Sequence, residues 1–255
     1  MNEAIGSALE AQADDRTARQ LGKQIQCLRG IRGVAAGTVA RVAAEAWRTH
    51  RPRLPDAAEA LNATFGQAHE DGLVAVGLLA AAWPDDPDLA LDLGLDWGDR
   101  LDDIMTADAL GWLVLGPIGL QTGTWIEIRD ELAGHRRPQG RRTVVAMGLA
   151  ACPVPVEGPA AAPLREKVGT RKVQMVDAVQ AGPVQAVLDR MIRDPHAMVQ
   201  KALRRLVRAF GDHAPKAAVE WADGVKGGLP RLIGDEIRRA RRHAARRAES
   251  ENLHD

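Results

Sequence analysis

The 255-residue chain carries 34 basic and 34 acidic side chains, is 45% hydrophobic, and holds six Trp, two Phe and no Tyr. That length and apolar share suffice for a sizeable core and exclude a disordered or fibrous chain. The formal charge of zero hides an asymmetry: thirteen acids face one base, Arg100, between Asp56 and Asp108, whereas twenty-four bases face twelve acids between Arg129 and Arg247. One end of the molecule is anionic and the other cationic.

No run of 18 or more apolar residues stands out, so no membrane span is expected. The start, "MNEAIGSALEAQADD", lacks the basic stretch and apolar run of a signal peptide. Cys27 and Cys152 have neither metal-site nor redox spacing, which points to a reduced, cytoplasmic protein.

Helical periodicity recurs along the chain, and alternating strand-like runs are absent. A helix is expected over residues 1–20. In "TVARVAAEAW", Val39, Val42, Ala43 and Ala46 form one stripe. "DGLVAVGLLAAAW" is apolar almost all round, which predicts a buried helix. "DALGWLVLGPIGL" is likewise apolar, with Pro117 expected to end or kink it. "GRRTVVAMGLAAC" follows, and then a Pro- and Gly-rich stretch, residues 152–172, reads as irregular with one short helix around Leu164. Beyond "VQAVLDRMI", the segment "MVQKALRRLVRAF" puts Val199, Leu203, Val207 and Phe210 on an apolar face. Lys201, Arg204, Arg205 and Arg208 lie mainly on the other face. The last helix is "LPRLIGDEIRRARRHAARRAES", and residues 248–255 form a disordered tail.

Pro55-Asp56, Pro84 to Pro87, Asp194-Pro195 and Pro215 mark helix starts. Helices of this length with short connections predict an all-α fold of stacked antiparallel pairs. The expected architecture is one elongated, curved α-α superhelix of HEAT-like type spanning residues 1–255.

The chemistry is selective by omission. The seven histidines are scattered, and no nucleotide-binding or nucleophile motif is present. Neither a metal nor a cofactor is expected. Three basic elements share the second half: Arg136, Arg137, Arg141 and Arg142; then Lys201, Arg204, Arg205 and Arg208; then six arginines from Arg238 to Arg247, among them Arg241 and Arg242. Stacked pairs could merge them into one cationic groove that binds phosphates by counterion release. The acidic counterpart is "DWGDRLDDIM", Asp96 to Met105, in which any one carboxylate reads first as a surface acid.

The chain resembles the bacterial DNA alkylation repair glycosylases of the AlkD type, built from HEAT-like helical repeats. The likeness is carried, in order, by "CLRGIRGVAAGTVARVAAEAW", "LVAVGLLAAAW", "DWGDRLDDIMTADALG", "GRRTVVAMGLAAC" and "MVQKALRRLVRAFGDHAPKAAVEW", and runs from Leu21 to Arg247. The resemblance implies that Asp102 faces the deoxyribose of the damaged nucleotide, with Asp96, Asp99 and Asp103 left as surface acids. It implies that Arg142 anchors the backbone. A cationic N3- or N7-alkylated purine leaves without protonation, so a carboxylate that stabilises the oxocarbenium-like sugar suffices. Two departures accompany this likeness. The family's aromatic four residues before the aspartate falls on Gly98, with Trp97 beside it, and its second tryptophan falls on Arg205.

The expectation is therefore a monomeric, cytoplasmic and nucleoid-associated DNA repair protein, with Asp102 catalytic. Double-stranded, alkylated DNA would lie against Arg141, Arg142, Lys201, Arg204, Arg205, Arg208, Arg238, Arg241 and Arg242, with Trp97 nearby. The alternatives are a DNA-binding scaffold without catalysis and a protein-interaction solenoid using its anionic half.

Overall fold

The computed structural model describes residues 1–25, 27–51, 53–153 and 178–251, with side chains up to Arg246. The stretch expected to be irregular at 152–172 lies almost wholly outside the described residues, as do positions 252–255. The described residues contain helices and no strand.

Two short helices open the chain, α1 (Asn2–Glu10) and α2 (Asp15–Gln24), where one was expected. Asp14 separates them and caps α2 by accepting from Thr17 N–H. Then come α3 (Ala36–His50), α4 (Leu54–Phe65), α5 (His69–Ala82) and α6 (Pro87–Arg100). These are followed by α7 (Ile104–Thr122), α8 (Trp125–Ala133) and α9 (Pro138–Ala150). The series closes with α10 (Ala181–Met191), α11 (Ala197–His213), α12 (Pro215–Gly224) and α13 (Arg231–Glu251). Pro55, Pro87 and Pro215 sit in first turns, as their fixed φ and missing N–H favour.

The helices pack in two rows. One runs α3, α5, α7, α9, α11, α13, each touching the next; the other runs α4, α6, α8, α10. Each pair buries its apolar stripe on its neighbours, and one cluster of buried residues extends from Ile5 to Ala240. The all-α, helical-repeat expectation holds.

Helix α7 departs from expectation. It continues through Pro117 to Thr122 because a π-helical turn, Gly111–Leu115, precedes the proline. Such a turn shifts the hydrogen-bond register ahead of a residue that has no N–H to give. The same turn lets α7 lie very close to α9: a Cβ on Gly111 would stand 2.3 Å from the Thr143 carbonyl oxygen. By length and hydropathy α7 could cross a membrane, but 72% of its apolar window is buried inside the protein, which makes it a core helix.

The carboxylate network and the basic face

The site is best built from the strap between α2 and α3, "CLRGIRG", Cys27 to Gly33. It passes over the N-terminal ends of α5 and α7, where helix dipoles and unpaired N–H groups favour negative charge. Glu70 accepts from the backbone N–H groups of Arg32 (3.0 Å), Gly33 (2.8 Å) and Val34 (3.1 Å). Asp71 pairs with Arg32 Nε at 2.8 Å, and Arg32 also reaches Glu10. Gly33 permits this course: its φ is +83°, and a Cβ there would lie 2.1 Å from Asp14 O.

Asp102 lies at the far side of the strap. Its Oδ2 accepts from Leu28 N and Arg29 N, both at 2.9 Å, with the Cys27 thiol at 3.6 Å. Its Oδ1 accepts from Arg29 Nε at 2.8 Å. The side chain is 5% exposed. All of these donors belong to residues 27–29, so the carboxylate faces the strap.

Asp103, expected at the surface, is instead fully buried. It caps α7 by accepting from Met105 N and Thr106 N, each at 2.8 Å, and it pairs with Arg29 at 2.9 Å. Its place at an N-cap beneath an arginine accounts for the burial. Burial pushes its pKa up, but His69, 3.2 Å away, and the Thr106 donors outweigh that and hold it at about 2. Asp96 and Asp99 are exposed, paired with Arg100 and His135.

Cys27, His69 and Asp103 bring three metal-type donor atoms within 4.8 Å of one another. The group suits a cation poorly, because the Arg29 guanidinium already sits 2.9 Å from Asp103. Burial and the two carboxylates push the Cys27 thiol up to about 12, which leaves it protonated.

The expected aromatic lies inside. Trp97 is fully buried, stacked on Phe65 at 4.4 Å, and its indole N–H donates to Asn62. Gly98 faces α8, where a Cβ would meet Leu132 Cδ2 at 2.8 Å.

The basic residues divide by depth. Arg142 is buried and forked onto Asp108 at 2.6 and 2.7 Å, with a third bond to Met198 O. Arg141 binds Asp194 at 2.5 Å and two backbone carbonyls. Arg142 therefore ties α7, α9 and α11 together, and Arg141 ties α9 to the connections that precede α9 and α11. Lys201, Arg204, Arg205 and Arg208 instead share the exposed side of α11, whose apolar side holds Val199, Leu203, Leu206, Val207 and Phe210. Arg205 approaches Asp108 at 3.5 Å, and Arg204 and Arg208 meet Glu236 of α13. On α13, Arg238 pairs with Asp235, Arg241 pairs with Asp223, and Arg242 is exposed. Asp108 and Glu236, which hold these cations, were missed from the sequence; their signal was an acid on a helix facing a cation-rich one.

An all-α protein of stacked helix pairs with one strongly basic helix face is a class shared by several kinds of nucleic-acid-binding protein. The model of the DNA alkylation repair enzyme family matches residues 5–244, and the chain belongs to that family. Membership indicates a role in DNA repair, with DNA as substrate or partner. Among solved structures, one described as a predicted DNA alkylation repair enzyme from Enterococcus faecalis is similar in fold. Its TM-score is 0.52 at 14% identity, over 89% of this chain and 95% of that one. A comparison with curated proteins gives no match.

Proposed function

We propose that this protein is a DNA repair protein that grips alkylated duplex DNA through phosphates and recognises it by shape, acting as a monomer on nucleoid DNA in the cytoplasm. The contacts are Lys201, Arg204, Arg205 and Arg208 of α11, with Arg238, Arg241 and Arg242 of the neighbouring α13. The observation that carries the reading is the α11 face: four cations at helical spacing, all exposed, on a helix whose other side is buried. Such a face neutralises backbone charge whatever the base sequence, and deformability of the damaged duplex then supplies selectivity. Arg141 and Arg142 support this face from beneath. Gel-shift affinity for an N7-methylated duplex should fall steeply as salt rises; a flat response excludes a phosphate grip.

A second reading adds chemistry: hydrolysis of the N-glycosidic bond of cationic N3- or N7-alkylated purines, with Asp102 stabilising the sugar; Arg142, buried on Asp108 and Met198 O, holds α11 in place and does not reach a backbone. Family membership favours it, as does the fact that Asp102's donors all come from one short strap, whose displacement would open both oxygens. Against it stand Gly98 and Arg205, where no ring is offered to a lesion. Base release from methylated duplex, measured with enzyme in excess, separates the two. Release by wild type that disappears in Asp102→Asn establishes the second reading, and binding without release establishes the first.

A further inference from the structure

A second group of cations lies outside the α11 face. Three turns, residues 134–137, 192–196 and 225–230, lead into α9, α11 and α13, successive helices of one row. Hydrogen bonds join these turns along one edge of the molecule. Arg141 binds the His135 and Arg136 carbonyls on one side and Asp194 on the other. Arg193 donates to the Lys226 and Gly228 carbonyls at 2.7 and 2.9 Å. The last turn closes on it through two left-handed glycines: Gly227 has φ +76°, and a Cβ there would stand 3.2 Å from the Arg193 guanidinium. The three turns hold one acid, Asp194, and it is already committed: its side chain is 5% exposed and accepts from Arg141 and from His196 N–H.

We propose that this edge is a second phosphate-binding strip for duplex DNA, formed by Arg136, Arg137, Arg193, Lys226 and Arg231. The proposal rests on the DNA-binding reading and extends it to a surface beyond α11 and α13. Three arguments carry it. First, all five side chains are exposed, and none is paired with a carboxylate among the described residues. Arg137 reaches only the Leu101 carbonyl, at 3.5 Å, and Arg193 only the two carbonyls of the glycine turn, so neutral acceptors leave both charges uncancelled. Asp99 of α6 is an exposed acid at the first turn, but it meets His135 and none of the five. By contrast, Arg204, Arg205 and Arg208 of α11 each meet a carboxylate. Second, the length fits. Helices stacked about 8–10 Å apart put the outer turns roughly 16–20 Å from each other. Phosphates on one strand advance about 3.4 Å each, so the edge runs alongside about five or six of them. Third, the edge is continuous with the α11 face. Lys201 stands four residues into α11, about 6 Å along the axis from the second turn.

The test is duplex-DNA affinity by fluorescence anisotropy over a salt series, for wild type and Arg136→Ala/Lys226→Ala/Arg231→Ala, with thermal unfolding alongside. These three side chains make no ion pair among the described residues, so folding should survive their loss. A control, Arg16→Ala/Arg19→Ala/Lys23→Ala, removes the same charge from α2, a helix with no buried residue. The edge variant should bind about thirty-fold more weakly at moderate salt, with the slope of log affinity against log salt reduced by about three. The α2 variant should stay within about two-fold of wild type. Wild-type affinity in the edge variant overturns the proposal, and so does an equal loss in the α2 variant, which would mean that net charge alone counts. If the edge variant fails to fold, Arg136→Ala, Lys226→Ala and Arg231→Ala are measured singly. Each should lower the slope by about one, and three unchanged slopes overturn the proposal. Wild-type protein that ignores duplex DNA even at the lowest salt overturns both the edge and the DNA-binding reading. Loss of the edge alone leaves the α11 face standing.

Discussion

The strap over α5 and α7 and the face of α11 use the same two side-chain types in opposite proportions. At the strap, Arg29 serves two buried carboxylates, Asp102 and Asp103, while Arg32 serves Asp71 and Glu10. At α11, two arginines share one buried carboxylate, Glu236. The first arrangement spends its cations on three buried acids at the N-terminal ends of α5 and α7 and on Glu10 at the end of α1, and it leaves nothing for an anionic ligand. The second leaves cationic charge at the surface. Stoichiometry and depth, more than the mere presence of arginine and carboxylate, separate a network whose charges are met internally from one that leaves cations at the surface.

The comparison breaks if strap variants affect DNA affinity while leaving stability intact. Arg29→Ala carries the largest expected effect. It strands two buried carboxylates and removes the donor to Phe65 O at 2.6 Å. Breaking a buried pair in this way costs about 3–5 kcal/mol, readable as a large fall in denaturation midpoint. A loss below about 1 kcal/mol would mean the strap is an ornament.

Acid provides the next test. In the folded protein the Asp103 pKa is held down to about 2, below its ordinary 3.8. Its contribution to stability is therefore complete above pH 4 and is lost as pH falls towards 2. The shift corresponds to about 2 kcal/mol. Urea titrations at a series of acid pH values should show this fall in wild type and a reduced one in Asp103→Asn. Identical pH profiles would show that Asp103 is no different from a solvated acid.

How much of this could be read from sequence depends on the range of the interaction. The all-round apolar pattern of "DGLVAVGLLAAAW" gave a buried helix correctly, because period and composition are local. The exposed side of α11 followed from the same logic, with Val199, Leu203, Val207 and Phe210 inside and the cations outside. Burial of Asp102 and Asp103 could not be read in this way, since their partner Arg29 lies more than seventy positions earlier. Arg142 looked like a surface cation for the same reason: Asp108, which draws it inward, sits 34 residues away on another helix. One signal was available. In "HEDGLVAVGLLAAAW" a histidine and two acids open a helix that is otherwise apolar, and the strap "RGIRG" supplies two arginines, each followed by a glycine. Acids on a helix with no solvent side need cations brought to them. Trp97 differs for another reason: adjacency to Gly98, where the family's aromatic falls, says nothing about which side of α6 the ring takes, and here Phe65 and Asn62 claim it.

The smallest expected effect comes from Lys201, which makes no ion pair among the described residues and lies on the exposed side of α11. Lys201→Ala removes neither a buried contact nor a partner's only counter-charge, so thermal unfolding should stay within about 0.5 kcal/mol of wild type. On DNA, one phosphate contact is lost. Affinity should drop roughly two- to five-fold at moderate salt, and the salt slope should decrease by about one, uniformly across sequences. A loss of that size on every duplex, with stability unchanged, marks Lys201 as a phosphate contact; affinity equal to wild type across the salt series would place the side chain outside the DNA-contacting face.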